Sequence, residues 1–277
     1  MASRLPEATR RTSGEAGGAF GRRTLTAVAA LIFAFLYLPV VVLFVYSFNE
    51  AKVFTFPPAN LSFKWYEELF NDRDMLQSIG NSFTVASGVV PVTLLLGVPA
   101  AFALNRFEFP GKSVFERAVM LPLMIPGLIT GLAILLIIKR TGLSLSLLTI
   151  IIGHSVAWMP IVITQVYARL RRFDRSLEEA SMDLGADRWQ TFLRVTLPNI
   201  RTAVLGSALL VFTLSFDEIA IAFFLTGADN TLPMHIWSML REGISPEIAA
   251  IATITVSVSI ALMLVALRLM RGNREDA

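Results

Sequence analysis

Long apolar runs alternate with shorter polar connections along most of this 277-residue chain. Six runs are long enough to cross about 30 Å of hydrocarbon as helices that rise about 1.5 Å per residue. These runs lie near residues 24–48, 79–104, 114–138, 143–168, 200–225 and 247–269. The pattern predicts an all-α membrane protein with six transmembrane helices.

Lys and Arg residues fall mainly into the connections on one side of these six runs. With the N-terminus on the cytoplasmic side, eighteen of the 24 basic residues lie on that side and six lie outside. Positive residues near span ends are retained in the cytoplasm, so both termini are predicted to be cytoplasmic. The net charge of +3 follows from this topology and gives no reason to predict a nucleic-acid partner.

The composition supports a membrane protein and limits its chemistry. Hydrophobic residues make up 55% of the chain and charged residues only 16%. There is no cysteine, so disulfides, thiol catalysis and thiolate metal sites are excluded, and no metal site is predicted.

Polar segments flank the predicted membrane spans at both ends of the chain. Residues 1–22 are rich in Arg, Ser, Gly and Glu and predict a disordered cytoplasmic tail, while residues 270–277 form a second tail. The first apolar run is longer than the core of a secretory signal, and no cleavage site follows it. It is therefore expected to stay in the membrane as a helix over 24–48, followed by a periplasmic connection over 49–78.

Several spans contain residues that disturb a helix. They are Pro91, Pro99, Pro122, Pro126, Gly127, Gly131, Gly153 and Pro160. In a bilayer, freed backbone groups must be satisfied by neighbouring helices or by a water-lined cavity. These spans are expected to pack against protein and to line part of a path, although small residues also simply allow helices to pack closely.

The longest polar stretch in the second half of the chain, residues 176–198, contains two helix-start patterns. Ser176 and Glu179 have the spacing of a capping box, which predicts a helix from Leu177. Its apolar positions Leu177, Ala180 and Leu184 share one face, and Gly185 follows where a left-handed residue would end the helix.

A second helix is predicted immediately after this glycine. Asp187 and Gln190 repeat the capping spacing, and Pro198 is expected to stop the helix. Its residues predicted to share a face are Trp189, Phe192, Leu193 and Thr196. A DNA-binding helix-turn-helix has a similar pattern, but here both ends join membrane spans and the acidic residues would repel phosphate.

This stretch resembles the EAA loop of the inner-membrane permeases of binding-protein-dependent ABC importers. The family pattern is E-A-A, three residues, Gly, nine residues and I-x-L-P; here the matching segments are Glu179-Ala180-Ser181, Gly185 and Val195-Thr196-Leu197-Pro198. Only Ser181 and Val195 depart from the pattern, and both substitutions are conservative. The resemblance covers nearly the whole chain from about residue 25.

The resemblance implies a type I ABC importer permease fold, with the transmembrane core over residues 79–269. The helix from Leu177 to Leu184 would be the coupling helix, which sits in a groove on a cytoplasmic ATPase. The implied coupling residues are Glu179, Ala180, Ser181, Asp183, Gly185, Arg188, Leu197 and Pro198.

The chain has no phosphate-binding loop of the G-x-x-x-x-G-K-[ST] type. The nearest match is the sequence GKS at residues 111–113, where Arg106 occupies the position of the first glycine. We therefore expect this chain to be a transport subunit without an ATPase site and without a bound cofactor, while ATP and Mg²⁺ bind to a partner subunit.

Asp217 and Glu218 are placed by the apolar pattern inside the fifth span. A charge at the centre of a membrane helix costs about 2.5 to 3.5 kcal/mol on insertion scales, so such residues face protein or a wet cavity. One interpretation is that they attract a cationic substrate along a translocation path. The other is that they pair with Lys139 or Arg140, or cap a break in the helix.

His154, Trp158 and Gln165 in the fourth span fall on one helical face and are candidates for lining the same path. A Trp ring over a cation adds roughly 0.5 to 2 kcal/mol. The alternative is a packed histidine and an interfacial tryptophan, both of which are common in membrane helices.

The segments KWYEELFND, FTLSFDE and SPEIAAIATI resemble the smaller permease of spermidine/putrescine-type importers. This resemblance implies a polyamine substrate, although permeases for opines, 4-aminobutyrate and other small amines have much of the same sequence pattern. The implied partners are a second permease subunit, a cytoplasmic ATPase dimer, a periplasmic substrate-binding protein and membrane lipid. The implied location is the bacterial inner membrane. A proton-driven secondary transporter and a membrane anchor or signalling subunit are the rival interpretations, and no internal repeat supports the first.

Overall fold

The computed structural model describes residues 13–51, 60–243, 245–257 and 260. The chain divides into two compact units, one made from its two ends and one from residues 72–242. Both are helical, and the described residues contain an isolated antiparallel bridge between Asn49 and Leu61 but no strand.

The first unit begins with one long helix, α1, over Ser13–Tyr46. Its part from Arg22 to Tyr46 is long and apolar enough to cross a membrane. Residues 13–22 belong to this helix, which corrects the predicted boundary of the disordered tail. A helix that has already formed gains one hydrogen bond for each residue it adds, so it can continue beyond its apolar run. Residues 1–12 lie outside the described part of the chain.

A short amphipathic helix, α2 over Lys64–Asn71, follows in the first unit. The Trp65 indole N–H donates to the Asn49 carbonyl over 2.6 Å, and the Ser47 and Tyr66 hydroxyls lie 2.7 Å apart. An apolar helix over Pro246–Ser257 covers the first half of the predicted sixth span, and the rest of that span, apart from residue 260, lies outside the described residues.

The second unit is built around three packed helices: α3 over Arg73–Arg106, α6 over Leu147–Arg171, and α9 over Leu197–Phe216. The Asp72 carboxylate caps the N-terminus of α3 by accepting the N–H groups of Asp74 and Met75. Fully buried side chains between the three helices are Val85, Val89, Val162, Val166, Ile200 and Val211. The prolines inside α3 and α6 do not interrupt either helix.

The predicted third span is a broken pair of helices, not one straight helix. α4 covers Lys112–Met124, α5 covers Gly127–Thr141, and their axes differ by 109°. Ile125 is extended because the proline after it disfavours helical backbone at that position, and Pro126 has no N–H to continue the ladder.

The fifth span also has boundaries different from those predicted from the sequence. A continuous helix runs from Arg188 to Phe216, so the span begins within the polar stretch and ends well before residue 225. Two short helices follow: α10 over Ala222–Leu225 and α11 over Leu232–Glu242. Among the described helices, four are long and apolar enough to cross a membrane, or five if the broken pair counts as one.

Candidate functional site

The polar stretch at residues 176–198, called the bracket below, connects α6 to α9. Its first helix, α7, covers Ser176–Asp183. The predicted capping box at Ser176 is wrong, because Ser176 lies inside the helix and its N–H is accepted by the Asp174 carboxylate over 3.0 Å. The Glu179 N–H, which the serine hydroxyl was expected to accept, donates to the Arg175 carbonyl over 3.2 Å.

The end of α7 follows the prediction. Gly185 has φ +89°, in the left-handed region. Its N–H donates to the Met182 carbonyl over 2.9 Å, and the N–H of Ala186 donates to the Ser181 carbonyl over 3.2 Å. These two bonds form a complete Schellman motif, which ends the helix and turns the chain sharply.

The second helix of the bracket begins at the predicted cap. The Asp187 carboxylate accepts the N–H groups of Trp189 and Gln190, each over 2.8 Å, and the Gln190 side chain accepts the Asp187 N–H in return. This helix, α8, covers Arg188–Thr191. The prediction of a helix, a glycine turn and a second helix is therefore confirmed.

Pro198 does not stop the second helix, contrary to the prediction. The segment Phe192–Thr196 forms a π-helical turn that continues directly into α9. In a regular α-helix the proline ring would clash with the carbonyl four residues earlier. The wider turn just before Pro198 lets the helix continue into the membrane span.

Large apolar side chains of α7 and of its C-terminal cap are exposed. Leu177 and Met182 are nearly half exposed, and Leu184 is 90% exposed. The exposed residues among the predicted coupling set are Glu179, Ala180, Asp183, Gly185, Arg188 and Pro198. The bracket thus presents an apolar surface with charged residues around it, which is the anatomy of a docking site for a protein.

The inner face of α7 is polar and bonded to the rest of the unit. Glu178 accepts a hydrogen bond from Arg106 at the end of α3 over 2.7 Å and one from Thr196 over 2.5 Å. Ser181 lies 3.2 Å from the Thr191 hydroxyl. Sequence reasoning missed Glu178, because a partner 72 residues away leaves no local signal.

The acidic pair lies at a helix break and not within a span. α9 ends at Phe216, and Asp217 is its C-terminal cap residue. Glu218 accepts the N–H of Ile221 over 3.0 Å, as in the predicted alternative of capping a break. The ion pairs among the described residues do not include Asp217, Glu218, Lys139 or Arg140.

The surroundings of Asp217 suit a cation. Its side chain is exposed, and no hydrogen bond in the described part of the chain ends on the carbonyls of Leu214, Ser215 or Phe216. These carbonyls carry the partial negative charge of a helix C-terminus. Three aromatic rings at this end of α9 and on α3 also contact one another, with centroids 5.1 to 6.1 Å apart: Phe83, Phe212 and Phe216.

The chain after the break packs between α5 and α6. A side chain at Gly131 would place a Cβ 3.0 Å from the Ile221 Cα, and one at Gly153 would overlap the Leu225 side chain. The Thr149 hydroxyl donates to the Leu225 carbonyl over 2.7 Å. Because glycine has no side chain, Gly131 and Gly153 let the segment after the break lie close to α5 and α6.

The predicted stripe in the fourth span does not form one surface. His154 is fully buried, with Nδ1 2.9 Å from the Ser215 hydroxyl. Trp158 is half-buried and Gln165 is exposed. For His154 the packed alternative is what the structure contains, and its bonded partner lies two residues before Asp217.

The long apolar helices and the broken pair define a class: a multi-pass membrane protein. The family model described as "Binding-protein-dependent transport system inner membrane component" matches residues 93–273, and the chain belongs to this family.

Two curated relatives from Escherichia coli K12 are similar over most of their length. The putrescine transport system permease protein PotI is 40% identical over 235 residues, covering 82% of this chain and 83% of that protein. The spermidine/putrescine transport system permease protein PotC is 34% identical over 250 residues, covering 88% of this chain and 94% of that protein.

Solved structures share the fold at low sequence identity. One is a chain of a bacterial ABC transporter involved in the import of the acidic polysaccharide alginate, with a TM-score of 0.72, 18% identity, and coverage of 95% of this chain and 99% of that one. Another is a chain of the MetNI methionine ABC transporter in an inward-facing conformation, with a TM-score of 0.58, 17% identity, and coverage of 71% and 94%. The expected type I ABC importer permease fold is thereby confirmed.

Proposed function

We propose that this chain is the permease subunit through which an ATP-driven importer passes a small polyamine of the putrescine or spermidine kind. The observation that carries the substrate class is the unpaired Asp217 carboxylate at the end of a broken helix, beside free carbonyls and aromatic rings. Ammonium groups bind to all three kinds of group. The printed functions of PotI and PotC support the same substrate class.

Within this proposal the two acidic residues have different roles. Asp217 attracts the cation, whereas Glu218 holds the broken segment in place through its bond to the Ile221 N–H. His154 positions the end of α9 through its bond to Ser215. Trp158 and Gln165 lie at the edge of the proposed path and do not line its centre. A second permease subunit completes the path.

In this proposal the bracket is the part of the chain that the ATPase binds and moves. Its exposed apolar face, with Leu184 at the tip, docks on a cytoplasmic ATPase dimer that binds ATP and Mg²⁺. ATP binding would close that dimer, move the bracket and switch the paired permeases from inward-facing to outward-facing. A periplasmic binding protein then delivers the polyamine to the chain in the bacterial inner membrane.

The test is uptake of labelled putrescine by the complete importer in proteoliposomes with ATP inside. A charge-assisted hydrogen bond contributes about 1.5 to 3 kcal/mol, so Asp217→Asn should lower uptake by about 10- to 150-fold. The matched control is Asp74→Asn, which removes the same charge from an exposed residue in the first turn of α3, outside the proposed path, and should transport normally.

Three results would overturn parts of this proposal. Normal putrescine uptake by Asp217→Asn removes the residue from the path. Binding of 4-aminobutyrate or an opine, and not of polyamines, by the cognate binding protein replaces the substrate. Uptake that persists without the ATPase and collapses with an uncoupler indicates a proton-driven secondary transporter.

A further inference from the structure

One carboxylate joins three helical segments at the base of the bracket. A single Glu178 oxygen accepts hydrogen bonds from the Arg106 guanidinium, over 2.7 Å, and from the Thr196 hydroxyl, over 2.5 Å. Arg106 is the last residue of α3, and Thr196 is the last residue of the π turn that leads into α9. α7 is thus bonded at one point to the end of α3 and to the turn that leads into α9.

This ion pair is shielded from water. The Arg106 and Glu178 side chains are only 11% and 15% exposed, whereas Glu108, in the nearby pair with Lys112, is 90% exposed. A shielded pair with short bonds holds its geometry better than a surface pair, which solvent and salt weaken. The Glu178 pair can therefore transmit a displacement.

Neighbouring contacts fix both partners of Glu178. The Arg106 guanidinium lies over the Phe102 ring at 5.4 Å, and that ring packs edge-on against Phe192 of the π turn at 5.6 Å. A second bond, from the Arg175 guanidinium to the Asn105 carbonyl over 3.0 Å, ties the start of α7 to the end of α3.

Without these bonds, the side-chain hydrogen bond left between α7 and the following helix in the described part of the chain would be the 3.2 Å contact between the Ser181 and Thr191 hydroxyls. α7 has eight residues, it is followed by the Gly185 turn, and most of its side chains are exposed. A push on its outer face would then tilt a short helix without moving the spans together.

We propose that Glu178 is the positioning residue that couples α7 to α3 and, through the π turn, to α9, so that displacement of α7 moves both helices. This inference rests on the proposed coupling role of the bracket. It assigns the transmission of force to a residue just before the E-A-A segment, which is less exposed than its neighbours Glu179 and Ala180.

The test is a charge-swap cycle in the reconstituted importer, with the number of putrescine molecules transported per ATP hydrolysed as the readout. Glu178→Arg and Arg106→Glu should each lower this ratio at least fivefold, and the double variant should return it to within twofold of the wild type. Glu178→Gln keeps the shape and should give an intermediate loss. Glu108→Gln, which removes the exposed pair nearby, is the control and should change nothing.

An unchanged transport ratio in Glu178→Arg, or a double variant that is no better than the single ones, would overturn the proposal. Folding defects are separated by a second measurement on the membrane-inserted chain alone. Because the chain has no cysteine, spin labels can be attached only at introduced Leu184→Cys and Glu108→Cys. The distance distribution between them should broaden at least twofold in Glu178→Gln, and an unchanged width contradicts the coupling.

The label measurement needs neither substrate nor ATPase. A wild-type importer that fails to take up putrescine therefore sinks the proposed function alone, whereas an unchanged label distance sinks the Glu178 proposal alone.

Discussion

The turn at Gly185 offers the sharpest test of the bracket. Its φ of +89° lies in the left-handed region, where residues with a Cβ lose roughly 1 to 2 kcal/mol. A Cβ added there would meet no atom of the chain within 4 Å, so the penalty comes from backbone strain and not from a clash. A penalty of that size lowers the ratio of bent to unbent brackets by about 5- to 30-fold.

Three variants separate backbone strain from side-chain bulk. Asn tolerates left-handed backbone better than Ala although it is larger, and Val tolerates it least. ATPase activity stimulated by the binding protein should therefore fall in the order Gly185, Gly185→Asn, Gly185→Ala, Gly185→Val. Pull-down of the ATPase from detergent extracts checks that each variant is still inserted and assembled.

The opposite ranking would refute this reasoning. If Gly185→Ala performs better than Gly185→Asn, the site is limited by space against the docked ATPase and not by φ. If Gly185→Val is stimulated as strongly as the wild type, the sharp turn is not required for coupling at all.

Three further variants test the packing around the break and the cap of the second bracket helix. Gly131→Val should destabilise the chain by about 1 to 3 kcal/mol, because its side chain meets the Ile221 backbone, and an unchanged thermal unfolding midpoint in detergent contradicts this. His154→Leu should cost about 1 to 3 kcal/mol by leaving the buried Ser215 hydroxyl unpaired, and adding Ser215→Ala should recover part of the lost midpoint. Asp187→Ala should cost about 0.5 to 2 kcal/mol of cap stability, seen as weaker stimulated ATPase, while Asp187→Asn should keep most of it.

Local signals in the sequence predicted the bracket well. The Gly185 turn and the Asp187 cap depend on residues within five positions of each other, so the sequence alone contains the necessary information. The cap at Ser176 was wrong because α7 begins one residue earlier than predicted, and the Glu179 N–H donates to the Arg175 carbonyl. Pro198 was misjudged because a π turn, which no residue pattern announces, relieves its clash.

The span boundaries were predicted less well, and the two breaks differ in kind. The break before α5 had a signal in Pro126, which restricts the residue before it. The break after Phe216 has no proline or glycine within the next ten residues. The segment after it packs closely against Gly131 on α5 and Gly153 on α6, so it is held by contacts between residues far apart in sequence. A single sequence contains no record of such contacts.

The unbroken helix from Arg188 to Phe216 also sets a mechanical ratio. Its 29 residues span about 43 Å at 1.5 Å per residue, and Thr196 divides it into a short arm of about 12 Å and a long arm of about 30 Å. If the helix pivots near Thr196, a shift of about 2 Å at the short arm gives about 5 Å at the opposite end, where Asp217 follows. Such a rod amplifies a small displacement about two and a half times, so under the proposed coupling role a small movement of the bracket would produce a larger one beside Asp217.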